Sequence, residues 1–132
     1  MSQPSGPRSG RPRPGPFSAF LHSFTFAGQG VWHAVRTQRN MRVHVAAAIA
    51  AVTAGAVLGI SAVQWACVTL AIGMVLVAET FNTVIEAMID LQTQQFHPLA
   101  KIAKDGAAGA VLIASIAAAG VAIAVFLPRL LR

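Results

Sequence analysis

One cysteine, no tyrosine and only four acidic residues occur in this chain of 132 residues, and each scarcity excludes something. The single thiol, Cys67, rules out an intrachain disulfide, and its place inside an apolar run reads as that of a small packing residue. Charged residues make up 11% of the sequence against 55% hydrophobic residues, with a mean hydropathy of +0.63, which excludes an ordinary soluble domain of this length. Phosphate-binding loops are missing as well. There is no G-x-x-x-x-G-K-[S/T], no kinase catalytic loop and no soluble stretch large enough for a nucleotide-binding domain. No basic patch interleaved with aromatics is found either, so the net charge of +6 does not point to nucleic acid.

What is present is membrane sequence. Three uncharged runs stand out, Val43 to Ile60, Ala62 to Ala78 and Gly106 to Leu127. The third alone, at 1.5 Å per residue, is long enough to cross a hydrocarbon core of ~30 Å. The linker Leu58-Gly59-Ile60-Ser61 is so short that spans 1 and 2 are expected to form a helical hairpin. From Gln64 to about Leu91 no proline interrupts the helical pattern, so span 2 (62–91) should outrun the hydrocarbon and emerge as a cytoplasmic extension. His97-Pro98 then starts the third helix (98–127), with proline at its first position.

Residues 1–16 are Pro, Gly, Ser and Arg with almost nothing to bury, and read as a disordered basic tail before a membrane domain of 17–132. From Phe17 to Thr37 apolar residues recur at helical spacing, predicting an amphipathic helix in the cytoplasmic interface, weakened in its middle by Gly28 and Gly30. An ordinary packing helix docked on the bundle fits the same pattern. The first apolar run begins near residue 43, so span 1 is expected to be its own anchor. Arg36, Arg39 and Arg42 precede span 1, and Lys101 and Lys104 lie between spans 2 and 3, while the 1–2 loop has no basic residue. This places the N-terminus and the 2–3 loop inside, with Arg129 and Arg132 as a minor violation outside.

The acidic residues carry the functional signal. Glu79, Asn82, Glu86 and Asp90 fall within an arc of roughly 80° on one helix face, at the point where span 2 leaves the membrane. Carboxylates are costly there, and a chain with so few acids has placed three on one stripe. Glu79 and Glu86 are about 10 Å apart along the axis, too far to chelate one ion and far enough to admit a phosphoryl group. Phosphoryl transfer needs a base, a carboxylate for Mg²⁺ and a cation for the phosphates, roles that suit Glu79, Glu86 and Lys104, with Asn82 between them. The same residues are compatible with simpler readings: ion pairs for Glu79 and Glu86, a solvated face for Asp90, a helix-start charge for Asp105 and a loop position for His97. His22, His33 and His44 have no spacing that suggests a metal site. Runs of small residues in span 3 favour close helix packing and an oligomer.

The run Glu79-Thr80-Phe81-Asn82-Thr83-Val84-Ile85-Glu86, Asp90, and His97-Pro98-Leu99-Ala100-Lys101-Ile102-Ala103-Lys104-Asp105 followed by Ala107-Ala108-Gly109-Ala110-Val111 resembles the signature of the prokaryotic diacylglycerol kinase and undecaprenol kinase family. The similarity extends from about Ser23 to Leu127 and includes Gly30 and Arg39-Asn40. It implies an all-α integral membrane fold of three spans and a surface helix, assembled as a homotrimer in the bacterial inner or plasma membrane. It also implies transfer of the ATP γ-phosphate to a membrane lipid hydroxyl, in lipid carrier or phospholipid recycling. By position, the resemblance makes Glu79 the catalytic base and Glu86 a Mg²⁺ ligand. Asn82, Glu86, Gln95, Phe96, His97, Lys104 and Asp105 fall at the nucleotide site, and Glu79, Trp32 and Ala108 at the lipid acceptor. The chain departs from the family at Gln38, where a metal-binding Glu usually precedes Arg-Asn. An amide oxygen can ligate Mg²⁺ without carrying charge. That departure leaves open a catalytically silent scaffold or ion-binding protein. The His-Pro-Leu-Ala-Lys loop looks more like the undecaprenol kinase branch.

Overall fold

The computed structural model describes residues 15–131, so all of the predicted N-terminal tail except Gly15 and Pro16 lies outside the described residues. The described residues form four helices: α1 (Pro16–Thr37), α2 (Arg39–Leu58), α3 (Ala62–Gln92) and α4 (Pro98–Leu130). No strand occurs among the described residues.

Helix α1 continues through Gly28 and Gly30. Its residues up to Gly30 form one compact unit, in which Phe20 and Phe24 pack edge to face at 5.0 Å. The second unit runs from Val31 to the C-terminus. Within it, the break between α1 and α2 is a single residue. Gln38 adopts an extended conformation (φ −97°, ψ 122°), while its N–H still donates to Ala34 O at 2.8 Å. Helix α2 therefore starts at Arg39, ahead of the uncharged run that opens at Val43, because backbone hydrogen bonding resumes before the charge ends. Ala34 and Met41 are buried on either side of this joint.

The hairpin between α2 and α3 is built from local signals. Gly59 takes the left-handed conformation (φ 59°), and Ile60 N–H reaches back to Gly55 O at 3.2 Å, closing a Schellman motif that ends the helix at Leu58. Ser61 then opens α3 with a reciprocal capping box. Gln64 N–H donates to Ser61 Oγ at 3.3 Å, and Ser61 N–H donates to Gln64 Oε1 at 2.9 Å. Beneath the turn, Ile60, Val68 and Val125 form the buried core, with Trp65 and Phe126 packed against it. Gly55 makes room for Trp65, since a Cβ there would meet the indole Cη2 at 2.9 Å.

Helix α4 packs chiefly on α3. Ala107 and Ala114, a heptad apart, are buried residues of α4, and small side chains of this kind allow close helix approach. The helix continues past Pro128 to Leu130, beyond the expected end at 127. A proline in the last turn sacrifices only one backbone bond, to a carbonyl close to the helix end. The extension places Arg129 over the hairpin. Its guanidinium donates to Leu58 O at 3.0 Å, Gly59 O at 2.9 Å and Gln64 Oε1 at 3.2 Å.

Helices α2, α3 and α4 are each long and apolar enough to cross a membrane. Only 11%, 22% and 17% of their most apolar windows are buried within the single chain, so most of their apolar surface must be covered by something else. At 31 residues, α3 spans about 46 Å and outreaches a ~30 Å hydrocarbon core, as expected.

Candidate functional site

The predicted stripe on α3 is one face with a gradient of burial. Glu79 is 1% exposed and Asn82 6%, the two buried polar side chains among the described residues; Glu86 is half-buried and Asp90 exposed. Glu79 Oε2 and Asn82 Oδ1 are buried without a hydrogen-bond partner. An unmet buried acceptor costs free energy of about 1–3 kcal/mol, more when charged, so this pair of atoms is held in place against its own solvation preference. Asn82 Nδ2 donates to Glu86 Oε1 at 3.2 Å, which fixes the Glu86 carboxylate and leaves its second oxygen free. His44, on α2, lies within electrostatic reach of Glu79.

A second group of predicted residues gathers where α3 ends and α4 begins. A cleft of about 390 Å³ there is lined by Asp90, Gln95, Phe96, His97, Lys104 and Asp105, with Lys101 beside them. The connecting loop is locally fixed. Thr93 Oγ1 accepts from Gln95 N–H at 3.1 Å, Gln94 Nε2 donates to Asp90 O at 2.7 Å, and His97 Nδ1 accepts from Leu99 N–H at 3.2 Å. His97 is thus the N-cap of α4, with Pro98 in the first turn as expected; its Nδ1 is committed and its Nε2 is not. Phe96 is 81% exposed at the mouth, a free aromatic face. Both lysines carry carboxylate partners. Lys104 Nζ is 2.5 Å from Asp90 Oδ1, across the two helices, and Lys101 pairs with Asp105 within α4.

The structure therefore joins Gln95, Phe96, His97, Lys104 and Asp105 in one cleft and Glu79, Asn82 and Glu86 on one helix face, with Asp90 linking the two. Trp32 and Ala108, expected at the acceptor, are exposed and line neither this cleft nor the apolar one described next. The solvated-face reading of Asp90 missed its partner, because a pair between residues 90 and 104 leaves no trace in helical spacing. His44 was missed for a similar reason: its neighbour is on another helix.

A second cleft, of about 290 Å³, lies between α2, α3 and α4 and is almost wholly apolar. Val75 and Leu76, one turn before Glu79, line one part of it, and His44 contributes its principal polar group.

No cluster of three or more His, Cys, Asp or Glu side chains suited to a metal exists among the described residues. The donors nonetheless fit Mg²⁺, which keeps several waters and takes one or two protein carboxylates together with substrate phosphates. Glu86, oriented by Asn82, would supply one such carboxylate. Gln38 is half-buried and its side chain does not cap α2, so its amide oxygen is uncommitted to the helix start.

Residues 25–126 match the family described as prokaryotic diacylglycerol kinase. The chain is 42% identical over 111 residues to an undecaprenol kinase of Bacillus subtilis, an overlap covering 84% of this chain and 90% of that protein. It is 46% identical over 112 residues to a diacylglycerol kinase of Synechocystis, covering 84% of this chain and 64% of that protein.

Proposed function

This chain belongs to the prokaryotic diacylglycerol kinase family and is a phosphotransferase with an alcohol acceptor, and from that premise we propose that it moves the γ-phosphate of ATP onto the hydroxyl of a membrane lipid. The observation that carries the reading is Glu79, buried on a membrane-length helix with Oε2 unpartnered. A carboxylate in that setting has a vacant acceptor facing a dry environment, which suits a base for a lipid hydroxyl at the hydrocarbon edge. Glu79 takes the hydroxyl proton as the lipid oxygen attacks the γ-phosphorus. The bond from that phosphorus to the β-phosphate oxygen breaks, and ADP leaves. The nucleotide lies in the cleft of Gln95, Phe96 and His97, with Lys104 toward its phosphates and Asp105 at its margin. Glu86, held by Asn82 and assisted by Gln38, would hold Mg²⁺, which supplies charge neutralisation for the phosphates.

The acceptor is undecaprenol in preference to diacylglycerol. The loop His97-Pro98-Leu99-Ala100-Lys101 supports this choice, and the apolar cleft ending near Glu79 suits a hydrocarbon chain. Trp32 and Ala108 would meet the acceptor from the outer surface. The protein would act in lipid carrier or phospholipid recycling in a bacterial inner or plasma membrane. Arg36, Arg39, Arg42, Lys101 and Lys104 support a cytoplasmic N-terminus and site. The uncovered apolar faces support assembly as a homotrimer. Gln38 favours a second reading, a catalytically impaired member of the fold that retains ion or nucleotide binding.

Transfer of labelled phosphate from ATP to undecaprenol and to diacylglycerol in detergent micelles with Mg²⁺ tests both. Undecaprenol phosphate should form, and Glu79→Gln should abolish it while Mg-ATP binding persists. Transfer to neither lipid would favour the impaired reading, and near-normal turnover of Glu79→Gln would remove Glu79 from the chemistry.

A further inference from the structure

Asp90 is the exposed end of the α3 stripe, four residues beyond Glu86, and it meets a cation from another helix. The Lys104 ammonium is 2.5 Å from Asp90 Oδ1, with side chains 38% and 57% exposed respectively. Both residues line the cleft at the α3–α4 junction. The second lysine of that cleft, Lys101, is tied to Asp105 on its own helix. Lys104 is thus the cation that bridges α4 to the acidic face of α3, and Asp90 is what it bridges to.

A lysine side chain has four rotatable carbons and about 2 kcal/mol of rotamer entropy, which must be given up when its ammonium is fixed on a phosphate. An ammonium has three donors, so it can keep one carboxylate partner and present the others to a ligand. The backbone around Asp90 is itself anchored, because Gln94 Nε2 holds the Asp90 carbonyl at 2.7 Å. The carboxylate therefore projects from a fixed point on a long helix, while Lys104 lies half-buried beside it.

We propose that Asp90 is a positioning residue for the nucleotide: it holds the Lys104 ammonium at the mouth of the cleft so that phosphate meets a cation already in place. This rests on the nucleotide-site reading of the cleft given above. Acting through Lys104 alone, Asp90 takes no part in the phosphoryl step, so its removal should act on nucleotide affinity and leave the rate at saturating ATP nearly unchanged.

The experiment is a double-mutant cycle on the full-length protein in micelles. Mg-ATP binding is measured by calorimetry, and kcat and KM are measured separately, for wild type, Asp90→Asn, Lys104→Met and the double variant. Asp90→Asn should weaken Mg-ATP binding about fivefold, the scale of a partly exposed ion pair. Asp90→Glu should restore most of the loss, since the flexible lysine stem absorbs one extra methylene. In the Lys104→Met background, Asp90→Asn should have no further effect. Additive losses would mean that Asp90 acts independently of Lys104, and unchanged or tighter binding in Asp90→Asn would mean that the pair competes with phosphate; either overturns the proposal. If wild type binds no Mg-ATP, the nucleotide-site reading fails and this inference with it, whereas a failure confined to Asp90→Asn leaves that reading intact.

Discussion

Replacing Arg129 with methionine keeps the aliphatic stem and removes the guanidinium that joins the end of α4 to the α2–α3 turn. Three hydrogen bonds are lost, to Leu58 O, Gly59 O and Gln64 Oε1, at 3.0, 2.9 and 3.2 Å. Polar bonds between helices of membrane proteins average about 0.6 kcal/mol, so the three together contribute roughly 2 kcal/mol. A cation over the last carbonyls of α2 adds a few tenths to about 1 kcal/mol through the helix dipole. The expected destabilisation is therefore between about 2 and 3 kcal/mol, with Arg129→Lys losing about half of that, because an ammonium keeps the charge but not the fork. Unfolding in mixed micelles with increasing sodium dodecyl sulfate, followed by circular dichroism, measures it. A loss below about 0.5 kcal/mol for the methionine variant would show that water replaces these bonds at no cost and would refute the reasoning.

Gly55→Ala should destabilise the hairpin by about 1 kcal/mol despite the higher helix propensity of alanine, since its Cβ would meet Trp65 Cη2 at 2.9 Å and Ile60 Cδ1 at 3.0 Å; Trp65→Leu in the same chain should recover the difference in the same unfolding assay. Gln38→Glu should lower the Mg²⁺ concentration needed for half-maximal activity by adding a second carboxylate to the proposed metal site, and an unchanged requirement would place residue 38 away from the metal. With Cys67 replaced, a cysteine at Ser61 should react with an impermeant thiol reagent from outside intact cells and one at Gln94 should not; the reverse pattern would invert the topology.

The helices were legible because their signals are local. Gly59 and Ser61 mark the hairpin, and Pro98 marks the start of α4, each through backbone chemistry confined to a few residues. The boundaries that run past the expected ones do so for one reason: charge patterning locates the hydrocarbon edge, whereas a helix extends as far as its hydrogen bonds do. Hence α2 begins at Arg39 and α4 runs to Leu130. At its other end α2 stops short of Ile60 because Gly59 ends it. The stripe of Glu79, Asn82 and Glu86 was legible from helical period alone. The partners of Asp90 and Arg129 were not, since the pairs 90–104 and 129–58 depend on how helices pack. Arg129 read as a minor violation of charge placement, and the fold gives it a structural task that outweighs that rule.

The capping box at Ser61 and the buried carboxylate of Glu79 belong to one uninterrupted helix. At 1.5 Å per residue they are about 27 Å apart, close to the ~30 Å thickness of a hydrocarbon core. Helix α3 thus works as a depth gauge. On the function proposed above, its capped end sits at one surface and the carboxylate assigned as base is carried to the opposite boundary, at a distance fixed by residue count. A bilayer thicker by a few ångströms would draw Glu79 under the acyl chains, away from the aqueous nucleotide, and a thinner one would lift it into water. Turnover measured across phosphatidylcholine bilayers of graded chain length should therefore pass through a maximum, with deletion of one helical turn between Val68 and Val75 moving that maximum toward shorter lipids.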